Sequence, residues 1–206
     1  MSTINTESAV RERYAAGAKA AESKLCCPVD YNPEYLKVIP REVIERDYGC
    51  GDPSKYLCPG ETVLDLGSGT GKICFIAAQV VGPNGKVIGI DMTDEMLNVA
   101  RANAPIVAEQ IGYNNVEFRK GRIQDLSLDL EQPQDPRTRT PLIASNSIDV
   151  VVSNCVLNLV AAEEKQQLFR ELYRVLKPTG RAVISDIVAE TPPPQSMRDD
   201  PELWSG

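Results

Sequence analysis

The pattern of apolar and polar positions changes at Pro59. Beyond it, short apolar runs alternate with longer amphipathic stretches. The spacing predicts a strand over Thr62–Leu66, a helix over Lys72–Val81 and a strand over Lys86–Ile90. A helix from Asp94 to about Ile111, closed by Gly112, and a short strand over Val116–Arg119 follow. The stretch from Ser127 to Ser147 is polar, contains Pro133, Pro136 and Pro141, and reads as a loop. A strand over Ile148–Val152, a helix over Ala162–Leu176 and a strand over Gly180–Ile187 complete the pattern. Strands and helices alternating at these lengths predict an α/β fold, a doubly wound and mainly parallel sheet with right-handed crossovers.

Before Pro59 the pattern is helical and broken. Residues 7–24 read as a helix capped by Thr6, with Glu7 in its first turn and an inward stripe of Val10, Tyr14 and Ala18. Leu25-Cys26-Cys27-Pro28 ends it, and Glu34 to Tyr48 gives a second helical stretch interrupted by Pro40. Gly49-Cys50-Gly51-Asp52-Pro53 is a turn cluster. The expected organisation is a helical cap over 1–58, a sheet domain over 59–190 and a tail over 191–206.

Composition narrows the chemistry. The 206 residues carry 22 Lys+Arg against 29 Asp+Glu, a net charge of −7, which argues against a nucleic-acid or anionic-membrane surface. No apolar run reaches the roughly 18 residues of a membrane span. The polar start Met1-Ser2-Thr3-Ile4-Asn5 lacks the order of a secretory signal, so a cytoplasmic location is expected. There is no histidine, which removes the commonest general base and zinc ligand and every Ser-His or Cys-His dyad. The six cysteines, 26, 27, 50, 58, 74 and 155, form neither a C-x-x-C pair nor a secreted framework, and in the cytosol they would ordinarily be reduced. Cys74 lies in an apolar run and reads as core, whereas Cys26, Cys27 and Cys50 lie in polar, turn-rich stretches.

The strongest local signal is Val63-Leu64-Asp65-Leu66-Gly67-Ser68-Gly69-Thr70-Gly71-Lys72, a strand running into three alternate glycines and then a helix. Glycines there let the backbone turn sharply and approach a ligand at the carboxyl ends of the strands. Asp65 would repel a pyrophosphate but welcome an ammonium group. Asp91 ends the second strand about 20 residues after the loop, the position of a ribose-binding acid. Two acids so placed suit S-adenosylmethionine better than a dinucleotide, and the pattern resembles a class I methyltransferase. That resemblance implies a Rossmann-like sheet in which Asp65, Gly67, Gly69 and Gly71 line the methionine part and Asp91 and Met92 hold the ribose. Ile123 and Gln124 would flank the adenine, and Ser153 and Asn154 would face the methyl-bearing centre.

The acceptor must suit a chain without histidine. After the fourth strand comes Ser153-Asn154-Cys155-Val156-Leu157-Asn158-Leu159-Val160, which sets a cysteine where the methyl donor would point. That run resembles the arsenite methyltransferase family closely. So do Tyr48-Gly49-Cys50-Gly51, Asp65-Leu66-Gly67-Ser68-Gly69, Gly89-Ile90-Asp91-Met92-Thr93, Tyr173-Arg174-Val175-Leu176-Lys177, Ser185-Asp186 and Val10-Arg11-Glu12-Arg13-Tyr14. The resemblance implies transfer of a methyl group from S-adenosylmethionine to As(III) bound by cysteine thiolates, with Cys155 and Cys50 as catalytic thiols and either Cys26 or Cys27 as a further arsenic ligand. It also implies arsenite or its glutathione conjugate as substrate, and thioredoxin or glutathione as the reductant that resolves disulfides formed in turnover. Trivalent arsenic is soft and thiophilic, and its lone pair attacks without a proton to remove. The family carries a further cysteine soon after a Leu-Trp pair, as well as a C-terminal region. Here Leu203-Trp204-Ser205-Gly206 ends the sequence, so that part is expected to be missing. The competing expectations are a class I methyltransferase for a small organic acceptor, and a module that binds As(III) without turnover.

Overall fold

The computed structural model describes residues 6–19, 29–46, 48–132 and 140–191. The helices are α1 (Thr6–Lys19), α2 (Pro33–Leu36), α3 (Arg41–Glu45), α4 (Lys72–Val81), α5 (Asp94–Ile111) and α6 (Lys165–Val175). The strands are β1 (Thr62–Leu66), β2 (Lys86–Asp91), β3 (Val116–Lys120), β4 (Ile148–Asn154) and β5 (Leu176–Ser185). They form one sheet in the order β3-β2-β1-β4-β5, every neighbouring pair parallel, as the alternating pattern predicts.

A parallel sheet buries both faces, and alternate side chains divide its residues between two cores. Val63, Val87, Phe118, Val150 and Val152 pack with Phe75 and Ile76 of α4 and Leu97 and Val107 of α5. Leu64, Leu66, Ile88, Ile90 and Val151 pack with Leu168, Leu172 and Val175 of α6 and with Leu126 and Ile143 from the β3–β4 connection. The chain moves outward from β1 to β3 and then returns to lay β4 on the other side of β1. That reversal opens a crevice at the carboxyl ends of β1 and β4, where open α/β sheets bind ligands.

β2, β3 and β4 run one or two residues past their expected ends, to Asp91, Lys120 and Asn154, and the boundaries of α6 and β5 also differ from the expected ones. α6 starts at Lys165, after a turn, rather than at Ala162. Leu176 leaves the helix to pair with Ile148, so β5 begins four residues before Gly180 with a bulge opposite Asp149. Lys177 Nζ reaches the Asp149 carboxylate at 2.7 Å, which holds this extended start against β4. β5 ends at Ser185 rather than Ile187, where the Asp186 carboxylate accepts from Asn158 N–H at 3.1 Å and Asn158 Nδ2 at 3.0 Å instead of continuing the ladder.

The helical stretch expected over 34–48 is two short helices divided at Pro40. Asn32 caps α2 by accepting Glu34 N–H at 3.0 Å. Ile39 and the fully buried Val43 join the core under α4. Val10 and Ala18 of the α1 stripe are buried, and Tyr14 and Ala18 pack on Tyr48 and Met96. The expected extension of this helix to residue 24, Cys26, Cys27 and the tail from 192 lie outside the described residues. Among the described residues no helix is long and apolar enough to cross a membrane.

Candidate active site

The glycine loop leaves β1 and is pinned at once to the neighbouring strand. Gly67 and Ser68 donate their N–H groups to Ile90 O at 2.8 and 2.9 Å. Gly69 N–H donates to Asp91 Oδ2 at 2.9 Å, and Thr93 N–H to Oδ1 at 2.8 Å. Each carboxylate oxygen therefore holds a backbone donor, and the Thr93 hydroxyl and Met92 N–H bond the same carboxylate. Burial pushes the Asp91 carboxyl above the ordinary aspartate value, and the Thr93 and Gly69 donors pull it back.

Asp65 is buried beneath this loop and accepts the Cys74 thiol, Sγ to Oδ2, at 3.2 Å. Burial first, and the Asp65 charge second, push that thiol well above its ordinary value, so Cys74 stays protonated and donates. It is a core cysteine, as its apolar run suggests.

Three glycines of the loop have positive φ. At Gly67 (φ 71°) an added Cβ would stand 2.6 Å from Val156, and at Gly71 (φ 92°) 2.6 Å from the Phe118 ring. Gly71 starts α4 and faces the core, so its role in this structure is conformational and it does not line the cleft. Gly71→Ala is expected to cost ~2–4 kcal/mol in urea unfolding, from left-handed strain and displacement of Phe118.

The cleft holds about 1030 Å³ of empty space, counting the part open to solvent. Asp65, Gly67, Gly69, Asp91, Met92, Ile123, Gln124, Asn154 and Cys155 line it, which brings together most of the residues expected from the sequence. Ser153 does not line it: the residue is fully buried within β4 and its hydroxyl points into the protein without a partner there. Asn154 lines the cleft, yet its amide is engaged by the Gly49–Gly51 turn. Gln124 Nε2 lies 3.2 Å from Glu164 Oε2 at the far end.

Periodicity gave no sign that α1 forms a wall of this cleft. Tyr14 packs edge-on against Tyr48 at 6.0 Å between ring centres, and Tyr48 donates its hydroxyl to Gly17 O at 2.9 Å. Burial pushes the Tyr14 phenol up to about 12, so it remains neutral. Arg122 Nη2 meets Glu7 Oε1 at 2.7 Å across the opening. The only available signals were Glu7 in a first turn and Arg122 beside the expected adenine residues, and neither pointed to the other.

At the end of β4, Cys155 has φ 59° and donates its N–H to Ser185 O at 2.7 Å. Its sulfur is bonded to that of Cys50, 105 residues away, with the Cα atoms 5.8 Å apart. The cysteines are thus not all reduced, as composition had suggested; these two are paired at the edge of the cleft. Cys58 is exposed and Cys74 buried. Among the described residues no group of three or more potential metal-ligating side chains occurs.

The donor set fits the expected cofactor: acids for an ammonium and a diol, apolar Met92 and Ile123, and a Ser68 hydroxyl buried in the wall without a protein partner. A parallel sheet with a glycine loop and two acids at its switch point defines a nucleoside-binding α/β protein. A methyltransferase domain model matches residues 57–206, and the chain belongs to that family. Its relatives are more particular. An arsenite methyltransferase of Halobacterium salinarum is 48% identical over 160 residues, covering 77% of this chain and 36% of that protein. That of Aquipseudomonas alcaligenes is 42% identical over 188 residues, covering 89% of this chain and 50% of that protein. An arsenic(III) S-adenosylmethionine methyltransferase structure from Chlamydomonas reinhardtii superposes with a TM-score of 0.72 at 35% identity, covering 86% of this chain and 55% of that one. The chain spans between a third and a half of the length of these two curated relatives. S-adenosylmethionine is the cofactor that the family and this solved relative support.

Proposed function

We propose that this chain carries the cofactor site and two acceptor thiols of an S-adenosylmethionine-dependent arsenite methyltransferase. The single observation that carries the reading is the meeting of Cys50 and Cys155 at the edge of the cleft that Asp65 and Asp91 line. When bound, S-adenosylmethionine supplies an electrophilic sulfonium methyl group. Asp91 accepts the ribose hydroxyls beside the Gly69 and Thr93 donors that orient it, and Asp65 faces the ammonium end. The reduced sulfurs of Cys50 and Cys155 hold As(III) as soft donors, and no side chain has to remove a proton. Positioning of the acceptor near the methyl group is then the main contribution of the protein. Cys26 or Cys27 is the candidate for a further ligand. The glutathione conjugate as the delivered form, a thiol reductant to reopen the Cys50–Cys155 bond, and a cytoplasmic setting belong to the same proposal.

Reduced protein incubated with arsenite, glutathione and isotopically labelled S-adenosylmethionine should yield labelled methylated arsenic. Cofactor binding with no arsenic product, and with label on a small organic acceptor instead, would support the alternative substrate class. Arsenite binding without product would leave a binding module.

A further inference from the structure

Besides the Cys50–Cys155 bond, the turn that carries Cys50 meets the Asn154 side chain at the end of β4. Asn154 Oδ1 accepts N–H groups from Cys50 at 2.8 Å and Gly51 at 2.9 Å, and its Nδ2 donates to Gly51 O at 2.8 Å. The contact is close enough to exclude a side chain on the turn. A Cβ at Gly49 would stand 2.2 Å from Asn154 Nδ2, and one at Gly51 would stand 2.1 Å from Ser185 Oγ. The neighbouring Cys155 is fixed independently through its N–H to Ser185 O. Tyr31 adds a hydroxyl bond to Gly51 O at 3.0 Å from the other side of the turn.

We propose that Asn154 is a positioning residue for the thiol pair: its amide locks the Gly49-Cys50-Gly51 turn onto the end of β4 and so sets the distance between two sulfurs far apart in sequence. The proposal deepens the reading above, in which Cys50 and Cys155 hold the acceptor. The three hydrogen bonds use both ends of the amide, two at Oδ1 and one at Nδ2. An aspartate keeps the two acceptor contacts and loses the donor, and alanine loses all three. The flanking glycines serve the same approach, since a methyl group at residue 49 cannot coexist with the amide where it stands.

The test is the equilibrium of the full chain with glutathione redox buffers. In it, one glutathione disulfide takes two electrons and two protons from the thiols of Cys50 and Cys155, giving the protein disulfide and two glutathione thiols. Peptide mapping by mass spectrometry reads the Cys50–Cys155 bond separately from other cysteines. Asn154→Ala is expected to lower the equilibrium constant roughly 100-fold, at about fivefold for each of the three lost hydrogen bonds. Asn154→Asp is expected to fall between Ala and wild type, moving toward wild type as pH falls and the carboxyl gains a proton that replaces the lost donor. Gly49→Ala, with Asn154 intact, is expected to reproduce the loss by displacing the amide. If the bond forms in Asn154→Ala and Gly49→Ala within twofold of wild type, the proposal is overturned, and a fall in cofactor affinity alone would make Asn154 a cofactor ligand. The readout contains no arsenic, so a wild-type chain that fails to bind arsenite would defeat the proposed function without changing this result.

Discussion

Cys155→Ser is expected to lower arsenic methylation by at least about 100-fold while leaving the fold in place. The residue sits just past β4, anchored by its N–H to Ser185 O, and it lines the cleft together with Gly67 and Val156. A serine hydroxyl fills similar space but is a hard, protonated oxygen with little affinity for trivalent arsenic. The acceptor would then lose the thiol at the end of β4 and be held only from the N-terminal cap, free to swing from the methyl group, and misplacement of about 1 Å costs on the order of 100-fold in reactions governed by approach. The effect should appear in single-turnover transfer of labelled methyl to arsenite. Cofactor affinity, read by calorimetry, separates this loss from damage to the cleft. Retention of wild-type turnover in Cys155→Ser would remove the thiol from the mechanism.

The second large effect is expected at Asp91. Asp91→Ala removes the carboxylate that orders Gly69 and Thr93 as well as the acceptor proposed for the ribose hydroxyls. Charged hydrogen bonds of this kind contribute about 1.5–3 kcal/mol each, so the loss of two corresponds to roughly 100-fold weaker cofactor binding or more. The pH dependence follows from the sign of the shift. Burial raises the Asp91 pKa, and the ionised form is the acceptor. Affinity is therefore full above that raised value and declines as pH falls through it, beginning at a higher pH than an exposed aspartate would allow. Calorimetric titrations of S-adenosylmethionine across the acid range check this. An affinity independent of pH in wild type and unchanged in Asp91→Ala would place the ribose elsewhere.

Much of the fold was legible because its signals are local. The β1–loop–α4 run reads directly from strand, glycines and helix, and the second acid follows at the end of the next strand, where parallel topology must bring it beside the loop. The spacing did not distinguish roles within the loop: Gly67 and Gly69 line the cleft, whereas Gly71 turns into the Phe118 core. The start of β5 was read too late because Lys177-Pro178-Thr179-Gly180 has turn composition. Pairing with β4 and the Lys177–Asp149 contact override that preference.

The site was harder to read wherever its parts are distant in sequence. Cys50 stands out by its turn-rich stretch and Cys155 by its place at a strand end, but only the family resemblance joins them, since no periodicity links residues 105 positions apart. Asn154 was expected at the cofactor, and its strand-end position is compatible with that. Its hydrogen bonds to residues 50 and 51 depend on how the cap folds back, which the pattern before Pro59 does not encode. Ser153 shows the opposite limit. One position earlier on β4, the alternation of side chains turns it to the opposite face of the sheet, where it is buried and does not line the cleft.

The central claim is that the two sulfurs brought together at this cleft are the ligands of the methyl acceptor. X-ray absorption at the arsenic edge tests it most directly, with reduced protein, S-adenosylmethionine and one equivalent of arsenite. The account predicts at least two sulfur neighbours around arsenic in wild type, and one fewer in each of Cys50→Ser and Cys155→Ser. Arsenic surrounded by oxygen, or a sulfur count unchanged in both variants, would contradict it.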